Sequence, residues 1–161
     1  MIFVTVGTQK FQLNRLLRLI DDCVLKQSIT DTVIAQTGGS DYVPQNYEYQ
    51  KFFDKQQFQQ MLETADMIIA HSGVGTIISA LRLDKPVIVF PRLFKYNEHV
   101  DDHQVEIAKA FEKKGYALCC YEDSNLVELI ETRRTHPAVK YDQQEGKITD
   151  IIEQYITKHM V

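Results

Sequence analysis

Short apolar runs alternate along the chain with stretches in which apolar residues recur every three or four positions. Most of the runs are continuously apolar, which predicts strands of a parallel sheet that are buried on both faces. The predicted strands cover residues 2–6 (IFVTV), 32–37 (TVIAQT), 47–53 (YEYQKFF), 66–71 (DMIIAH), 86–90 (PVIVF) and 116–121 (YALCCY).

The stretches between the runs predict amphipathic helices, because residues three and four apart share one helical face. The apolar sets are Leu13, Leu16, Leu17 and Ile20; Phe58, Met61, Leu62 and Ala65; Ile77, Ile78 and Leu81; and Val105, Ala108 and Phe111. A last set, Ile148, Ile151, Ile152, Tyr155 and Ile156, predicts a C-terminal amphipathic helix over residues 147–159. The polar segment 132–146 before it predicts a loop.

The alternation of strand and helix predicts an α/β fold, with a doubly wound, mainly parallel sheet sandwiched by helices. The 161 residues fit a single domain, 1–161. With 18 basic and 22 acidic side chains the net charge is -4, so no nucleic-acid partner is expected. The opening apolar run is too short for a signal peptide, and we expect a cytoplasmic protein. Three cysteines, two of them adjacent, indicate reduced structural thiols.

A glycine-containing loop lies where a predicted strand leads into a helix, in the segment AHSGVGTIISAL at residues 70–81. Free backbone N–H groups and the helix dipole attract an anion to such a terminus, and phosphate is the expected ligand. The candidate phosphate-binding residues are His71, Ser72, Gly73, Gly75 and Thr76. The alternative is a plain tight turn in which a serine caps the helix. No Walker motif occurs, and the third glycine of a dinucleotide-binding motif is missing.

Two further loops follow predicted strands at the same edge of the sheet. Gly7 and Thr8 follow the first strand and are expected to face the glycine loop. The segment PRLFKYNEHVDDHQ, residues 91–104, is denser in polar side chains than folding requires. No metal site is predicted, because Asp101, Asp102 and His103 are consecutive and point in different directions. A phosphorylated ligand rich in hydroxyl groups, such as a nucleotide sugar, would use both loops.

The segments FVTVGT, AQTGGS, ADMIIAHSGVGTIISAL, KPVIVFPR and HVDDHQVEIA occur in this order, and together they resemble the C-terminal domain of family 28 glycosyltransferases. The resemblance covers almost the whole chain and implies the Rossmann-like, donor-binding C-terminal half of a GT-B enzyme. Within the family, the chain resembles the short single-domain members, namely PssE-like exopolysaccharide and capsule proteins and the catalytic subunit of the dolichol-linked chitobiose transferase. MurG carries the same half.

The resemblance also implies residue roles. The diphosphate-binding residues would be Gly7, Thr8, His71, Ser72, Gly73, Gly75 and Thr76, and the sugar- and ribose-binding residues would be Ser79, Arg92, Glu98, Asp102, His103 and Gln104. Ser79 departs from the family pattern, because MurG and the eukaryotic subunit carry there a glutamate that holds the ribose hydroxyls; Glu98 is the candidate substitute. The resemblance implies no cofactor and no metal, since backbone dipoles and side-chain donors stabilise the leaving UDP.

The family places the acceptor in another half, so the resemblance implies a PssD-like, membrane-anchored subunit that brings a polyprenyl-diphosphate-linked sugar to the inner face of the membrane. The implied reaction is inverting transfer of a hexose, with galactose favoured, from UDP-hexose in capsular or exopolysaccharide biosynthesis. His99 is the candidate catalytic base unless the partner supplies it. The alternatives are a non-catalytic nucleotide-sugar-binding regulatory module and a dinucleotide-dependent oxidoreductase or epimerase, which the missing glycine disfavours.

Overall fold

The computed structural model describes residues 1–142, and the predicted helix at 147–159 lies outside them. The elements of this part are β1 (Ile2–Thr5), α1 (Asn14–Leu25), β2 (Val33–Gln36), β3 (Glu48–Gln50), α2 (Lys55–Thr64), β4 (Met67–Ala70), α3 (Val74–Arg82), β5 (Val87–Val89), a 3-10 turn (Phe94–Tyr96), α4 (His103–Lys113), β6 (Leu118–Cys119) and α5 (Leu126–Thr135). None of the helices in this part of the chain is long and apolar enough to cross a membrane.

The strands form one sheet in the order β3-β2-β1-β4-β5-β6, and all neighbours are parallel. This confirms the predicted doubly wound α/β fold. Successive strands run outward from β1 to one edge, and then from β4 to the other. The chain therefore leaves β1 and β4 in opposite directions, and a crevice opens between their carboxyl ends.

The sheet separates two apolar layers. On one face α1 packs with residues of α5, including Leu126 and Ile130, against Val4 and Ile69 of the central strands. The other face, with Phe3 of β1, is covered by α2, α3 and α4. Every residue of β1 and β4 is buried, as the continuously apolar pattern predicts.

The structure differs from the sequence-based expectation in three elements. The predicted strand at 116–121 is reduced to the two residues of β6. The predicted strand at 47–53 is reduced to β3, whose residues are all exposed at the sheet edge. The predicted loop at 132–146 is wrong at its start, because Thr132–Thr135 form the last turn of α5. Asn125 caps that helix by accepting hydrogen bonds from the backbone N–H groups of Val127 and Glu128, at 3.0 and 3.3 Å. The cap and the buried Leu126 and Ile130 extend the helix into the polar segment.

A buried carboxylate fixes the loop between β2 and β3. Asp21 of α1 is 3% exposed and accepts hydrogen bonds from the Tyr42 hydroxyl (2.6 Å), the Gln45 N–H (2.9 Å) and both the backbone and side-chain nitrogens of Asn46 (2.8 and 2.9 Å). Burial acts to raise the pKa of Asp21, but these hydrogen bonds outweigh it and hold the pKa below its ordinary value of 3.8. The loop that leads to the edge strand therefore depends on an ionised Asp21.

Candidate functional site

A cavity of about 750 Å³ occupies the crevice between the carboxyl ends of β1 and β4. The loop after β1, the start of α3 and the start of α4 line it, together with one side of α2. Of the predicted residues, the structure brings to this cavity Gly7, Thr8, His71, Ser72, Gly73, Gly75, Thr76, Ser79, His99, His103 and Gln104. A second cavity of about 520 Å³ lies at the amino ends of the central strands, beside Ile2, Met67 and Pro86, away from these loops.

The N-terminus of α3 opens into the cavity without a side-chain cap. Gly73 is the N-cap residue, and its own N–H donates to His71 O at 2.8 Å. The serine cap considered from the sequence is wrong, because Ser72 precedes the N-cap and its buried hydroxyl has no hydrogen-bond partner. The N–H groups of Val74, Gly75 and Thr76 have no acceptor within the helix, since they lie in its first turn. They are available to an anion, and the helix dipole favours one.

The imidazole of His71 is wedged between the two glycine turns. A Cβ atom at Gly7 would lie 2.6 Å from His71 Cε1, and one at Gly73 would lie 2.3 Å from His71 Nε2. Only glycine therefore fits at either position. Burial, followed by the positive charge of Arg92, lowers the pKa of His71 to about 3. The ring is neutral at pH 7 and offers a ligand one N–H donor but no positive charge.

Two glutamines hold the loops of the cavity together. Gln36 donates from Nε2 to Thr5 Oγ1 at 3.2 Å and to Gly7 O at 3.3 Å, and its Oε1 accepts from the Phe53 N–H at 3.0 Å. Gln104 Oε1 accepts from the backbone N–H groups of Ser72 (3.3 Å) and Arg92 (3.0 Å). Because its oxygen is occupied by two backbone donors, the NH₂ group of Gln104 is the part that can bind a ligand hydroxyl.

Three predicted sugar- and ribose-binding residues do not reach the cavity. Arg92 is fully buried behind the wall, with its Nη2 donating to Val6 O (2.5 Å) and Phe11 O (3.2 Å). Glu98 is 1% exposed; its carboxylate accepts from Arg15 Nη2 at 2.9 Å and from the Leu93 N–H at 2.8 Å. Asp102 accepts from the Phe94 N–H at 2.8 Å. The polar density of segment 91–104 thus serves the loop's own backbone in part, and Glu98 is not placed to replace the family glutamate.

Ser79, the position that departs from the family pattern, does line the cavity. Its hydroxyl donates to Gly75 O one turn earlier in α3, at 2.8 Å. Because that donor is used within the helix, only the lone pairs of the Ser79 oxygen remain for a ligand, and they accept from a ribose hydroxyl but cannot reach as far as a glutamate.

Two histidines, one before α4 and one at its first residue, lie beside the carboxylate of Asp101, which hydrogen-bonds to one of them. Asp101 Oδ1 accepts from His103 Nδ1 and lies 3.3 Å from His99 Nδ1. His99, the candidate base, has a side chain only 8% exposed and packs against the ring of Phe11 at 4.8 Å between centroids. Burial lowers the pKa of His99, so its imidazole is neutral at pH 7. The alternation of residues 99, 101 and 103, and not a consecutive set, brings three possible metal-ligating atoms within 4.8 Å of one another.

One wall of the cavity was missed by the sequence analysis. It comes from Gln36, Phe53 and α2, and includes Lys55, Phe58 and Gln59. Among residues 1–142, Lys55 is the only lysine or arginine that lines this cavity, and no carboxylate of that part of the chain lines it. This lining suits an anionic ligand. The helix follows the edge strand β3, and nothing in its local sequence indicates that its first turns line the same cavity as α3.

The fold is that of the Rossmann-like C-terminal half of GT-B glycosyltransferases. The family model of the glycosyltransferase family 28 C-terminal domain matches residues 1–155, and the chain belongs to this family.

Similar proteins include the UDP-N-acetylglucosamine transferase subunit ALG13 of Mus musculus, which is 31% identical over 73% of this chain and 10% of its own length. A pyrophosphoryl-undecaprenol N-acetylglucosamine transferase of Clostridium novyi is 32% identical over 62% of this chain and 28% of its own. The solution structure of ALG13 superposes with a TM-score of 0.59 at 19% identity, covering 94% of this chain and 93% of that one. The chain thus spans only a small part of the length of the Mus musculus and Clostridium novyi proteins.

Proposed function

We propose that this protein is the donor-binding, catalytic subunit of a two-component inverting glycosyltransferase, which moves a hexose from a UDP-sugar to a polyprenyl-diphosphate-linked sugar. The carrying observation is the N-terminus of α3, which has no side-chain cap and lines, with the Gly7 turn, a cavity that has no carboxylate from residues 1–142. The diphosphate would accept hydrogen bonds from the N–H groups of Val74, Gly75 and Thr76, and the Thr76 hydroxyl is a further donor.

Chemically, the site would stabilise charge on the leaving group. As the bond from the sugar to the diphosphate breaks, negative charge grows on the UDP oxygens, and donors already oriented toward them lower the barrier. Family membership in glycosyltransferases supports this reaction class. No metal or other cofactor is assigned to the step, because the helix terminus supplies the stabilisation that a divalent ion gives in other enzymes. The neutral His99 or a group of the partner would accept the proton of the attacking hydroxyl.

Two sugars are candidates for the group that the UDP donor carries. The resemblance to PssE-like and capsule proteins favours galactose, whereas the similar curated proteins carry names of N-acetylglucosamine transferases. The NH₂ group of Gln104 and the imidazole of His103 would bind hydroxyls of either sugar. The name of ALG13 includes the word subunit, which supports a separate acceptor-binding partner here. We propose that a PssD-like membrane-anchored protein is this partner and holds the chain at the inner face of the membrane.

Replacing Thr76 with valine is expected to weaken UDP binding about tenfold. The isosteric change removes a hydroxyl donor, and a hydrogen bond from such a donor to a charged acceptor contributes roughly 1.5 kcal/mol. Calorimetric titration with UDP measures this. The matched control is Thr64→Val, which removes a hydroxyl on α2 that donates to Gln60 O and lies outside the cavity; its UDP affinity should equal that of the wild type. A wild-type chain that binds NADH but not UDP would reject the proposal in favour of a dinucleotide enzyme.

The purified pair of this chain and its PssD-like partner is expected to transfer sugar to lipid-linked glucose, and to do so in EDTA. UDP-galactose and UDP-N-acetylglucosamine are supplied separately as labelled donors, and the faster one identifies the donor. Transfer that disappears in EDTA and returns with a divalent ion would assign a metal role to the His99, Asp101 and His103 cluster. UDP binding without transfer of either sugar would support the non-catalytic regulatory module.

A further inference from the structure

Unsatisfied buried polar atoms concentrate at one place in the described part of the chain. Across residues 1–142, six buried side-chain nitrogen or oxygen atoms have no hydrogen-bond partner, and five of them belong to His71, Ser72, Arg92 and His99. Such atoms are rare in folded proteins, and each costs free energy. Two are the Nε and Nη1 atoms of Arg92, a side chain that is fully buried.

Within residues 1–142, no carboxylate contacts the guanidinium group of Arg92. The nearest candidate, Glu98, already binds Arg15 in a two-pronged contact, at 3.0 and 2.9 Å, and also accepts from the Leu93 N–H. In the described part of the chain, the guanidinium group of Arg92 hydrogen-bonds only to the carbonyl groups of Val6 and Phe11. Glu98 is therefore engaged by Arg15, and it stabilises the positive charge of Arg92 only from a distance, without a hydrogen bond.

The charge of Arg92 lies directly behind the cavity wall. Val6, whose carbonyl binds Arg92, precedes Gly7 of the first glycine turn. The Arg92 N–H shares Gln104 Oε1 with the N–H of Ser72, which precedes the N-cap of α3. The guanidinium group of Arg92 is thus hydrogen-bonded to the chain that leads into the Gly7 turn. Its backbone N–H is linked through Gln104 to the residue before the N-cap of α3. Burial lowers the pKa of Arg92 only to about 10, so the group stays protonated at neutral pH.

We infer that Arg92 is a buried cation that strengthens binding of the donor's diphosphate through its electric field, from behind the cavity wall and without contacting the ligand. The inference rests on the proposed function and deepens it. A buried charge that no carboxylate contacts is costly to a fold, and a charge in a poorly solvated wall acts over a longer range than one in water. Burial is the main cause that lowers the pKa of His71 and of His99, and the positive charge of Arg92 acts in the same direction, so both imidazoles are neutral while Arg92 supplies the charge.

The test compares UDP with uridine, which lacks the diphosphate, by NMR titration of the wild type and two variants with opposite charge changes. Arg92→Met is expected to weaken UDP binding about tenfold and leave uridine binding unchanged, since Arg92 does not line the cavity and its charge acts on an anion but not on a neutral ligand. Glu98→Gln removes the buried negative charge and is expected to tighten UDP binding several-fold relative to uridine. Arg92→Lys, which keeps the charge, should retain most of the UDP affinity.

The opposite signs separate electrostatics from damage to the fold. If both neutral variants weaken UDP and uridine equally, Arg92 and Glu98 only shape the loops, and the inference is overturned. An unchanged ratio of UDP to uridine affinity in Arg92→Met overturns it as well. Should Arg92→Met not fold, the Glu98→Gln and Arg92→Lys ratios decide in its place. Lack of wild-type binding to both UDP and inorganic pyrophosphate would instead remove the proposed function, and this inference with it.

Discussion

Replacing Gly7 with alanine is expected to lower the free energy of unfolding by about 3 kcal/mol and to abolish measurable UDP binding. Gly7 has a φ of +81°, a conformation that costs other residues roughly 1–3 kcal/mol. The new Cβ would also lie 2.6 Å from the buried His71 ring, and overpacking of this kind costs about 1–3 kcal/mol more. The ring has no room to retreat, because Gly73 confines it from the other side. Urea unfolding and UDP titration measure the two effects.

Gly75→Ala is the matched control for this prediction. A Cβ atom at Gly75 would meet nothing within 4 Å, and the residue lies in the first turn of α3. Its stability is expected to stay within ~1 kcal/mol of the wild type, since alanine is the better helix former. Equal losses of stability in the Gly7 and Gly75 variants would contradict the wedge of His71 between the glycine turns.

The Asp21→Ala variant is expected to lose about 2–4 kcal/mol of stability at pH 7. The change leaves the Tyr42 hydroxyl and the N–H groups of Gln45 and Asn46 without their acceptor, and hydrogen bonds to a charged group contribute roughly 1.5–3 kcal/mol each before compensation by water. Thermal and urea unfolding measure the loss. UDP affinity of the folded fraction should change little, because Asp21 does not line the cavity.

The stabilisation that Asp21 gives the folded state is expected to decrease as the pH falls. Because the pKa of Asp21 is lowered in the folded state, its contribution is fully present above its ordinary value of 3.8 and is lost as the pH falls through the folded value. The stability difference between wild type and Asp21→Ala should therefore narrow in acid, below about pH 4. A difference that is constant down to pH 2 would show that packing, and not the ionised carboxylate, carries the effect. Asp54→Ala, which removes an exposed helix cap, is the comparison for an ordinary surface carboxylate.

The sheet could be predicted from the sequence because its central strands are apolar on both faces. Residues 2–6 and 66–71 have no polar alternation, and β1 and β4 lie within them, fully buried. The edge strand could not be predicted in the same way, since β3 buries no side chain and its extent is set by backbone pairing with β2. Helix α5 was missed for a related reason: its apolar contacts come only from its first turns, while Arg133 and Arg134 follow.

Some residues of the candidate site could be placed from the local sequence, whereas others depend on contacts between distant parts of the chain. The glycine turns could be placed from the sequence, because both follow strands that had to be neighbours near the switch point. The burial of Arg92 and Glu98 could not, since polar residues in an irregular loop are ordinarily exposed. Lys55 and Gln59 belong to a helix whose position depends on the crossover from β3 to β4. His99, Asp101 and His103 meet only because the chain turns sharply before α4.

The parallel arrangement of all six strands has a consequence for the time course of folding. Among the six strands of residues 1–142, no two neighbours are joined by a hairpin, and β1 pairs with β4, with Ile2 opposite Met67. Contacts between such distant segments form slowly, because each must first close a long loop. The cavity gathers residues from Gly7 to Ile107, so an emerging polypeptide has no nucleotide-sized pocket until α4 has left the ribosome. A ligand that binds this cavity would therefore stabilise a growing chain only once α4 has formed, which is before β6 and α5 have been synthesised.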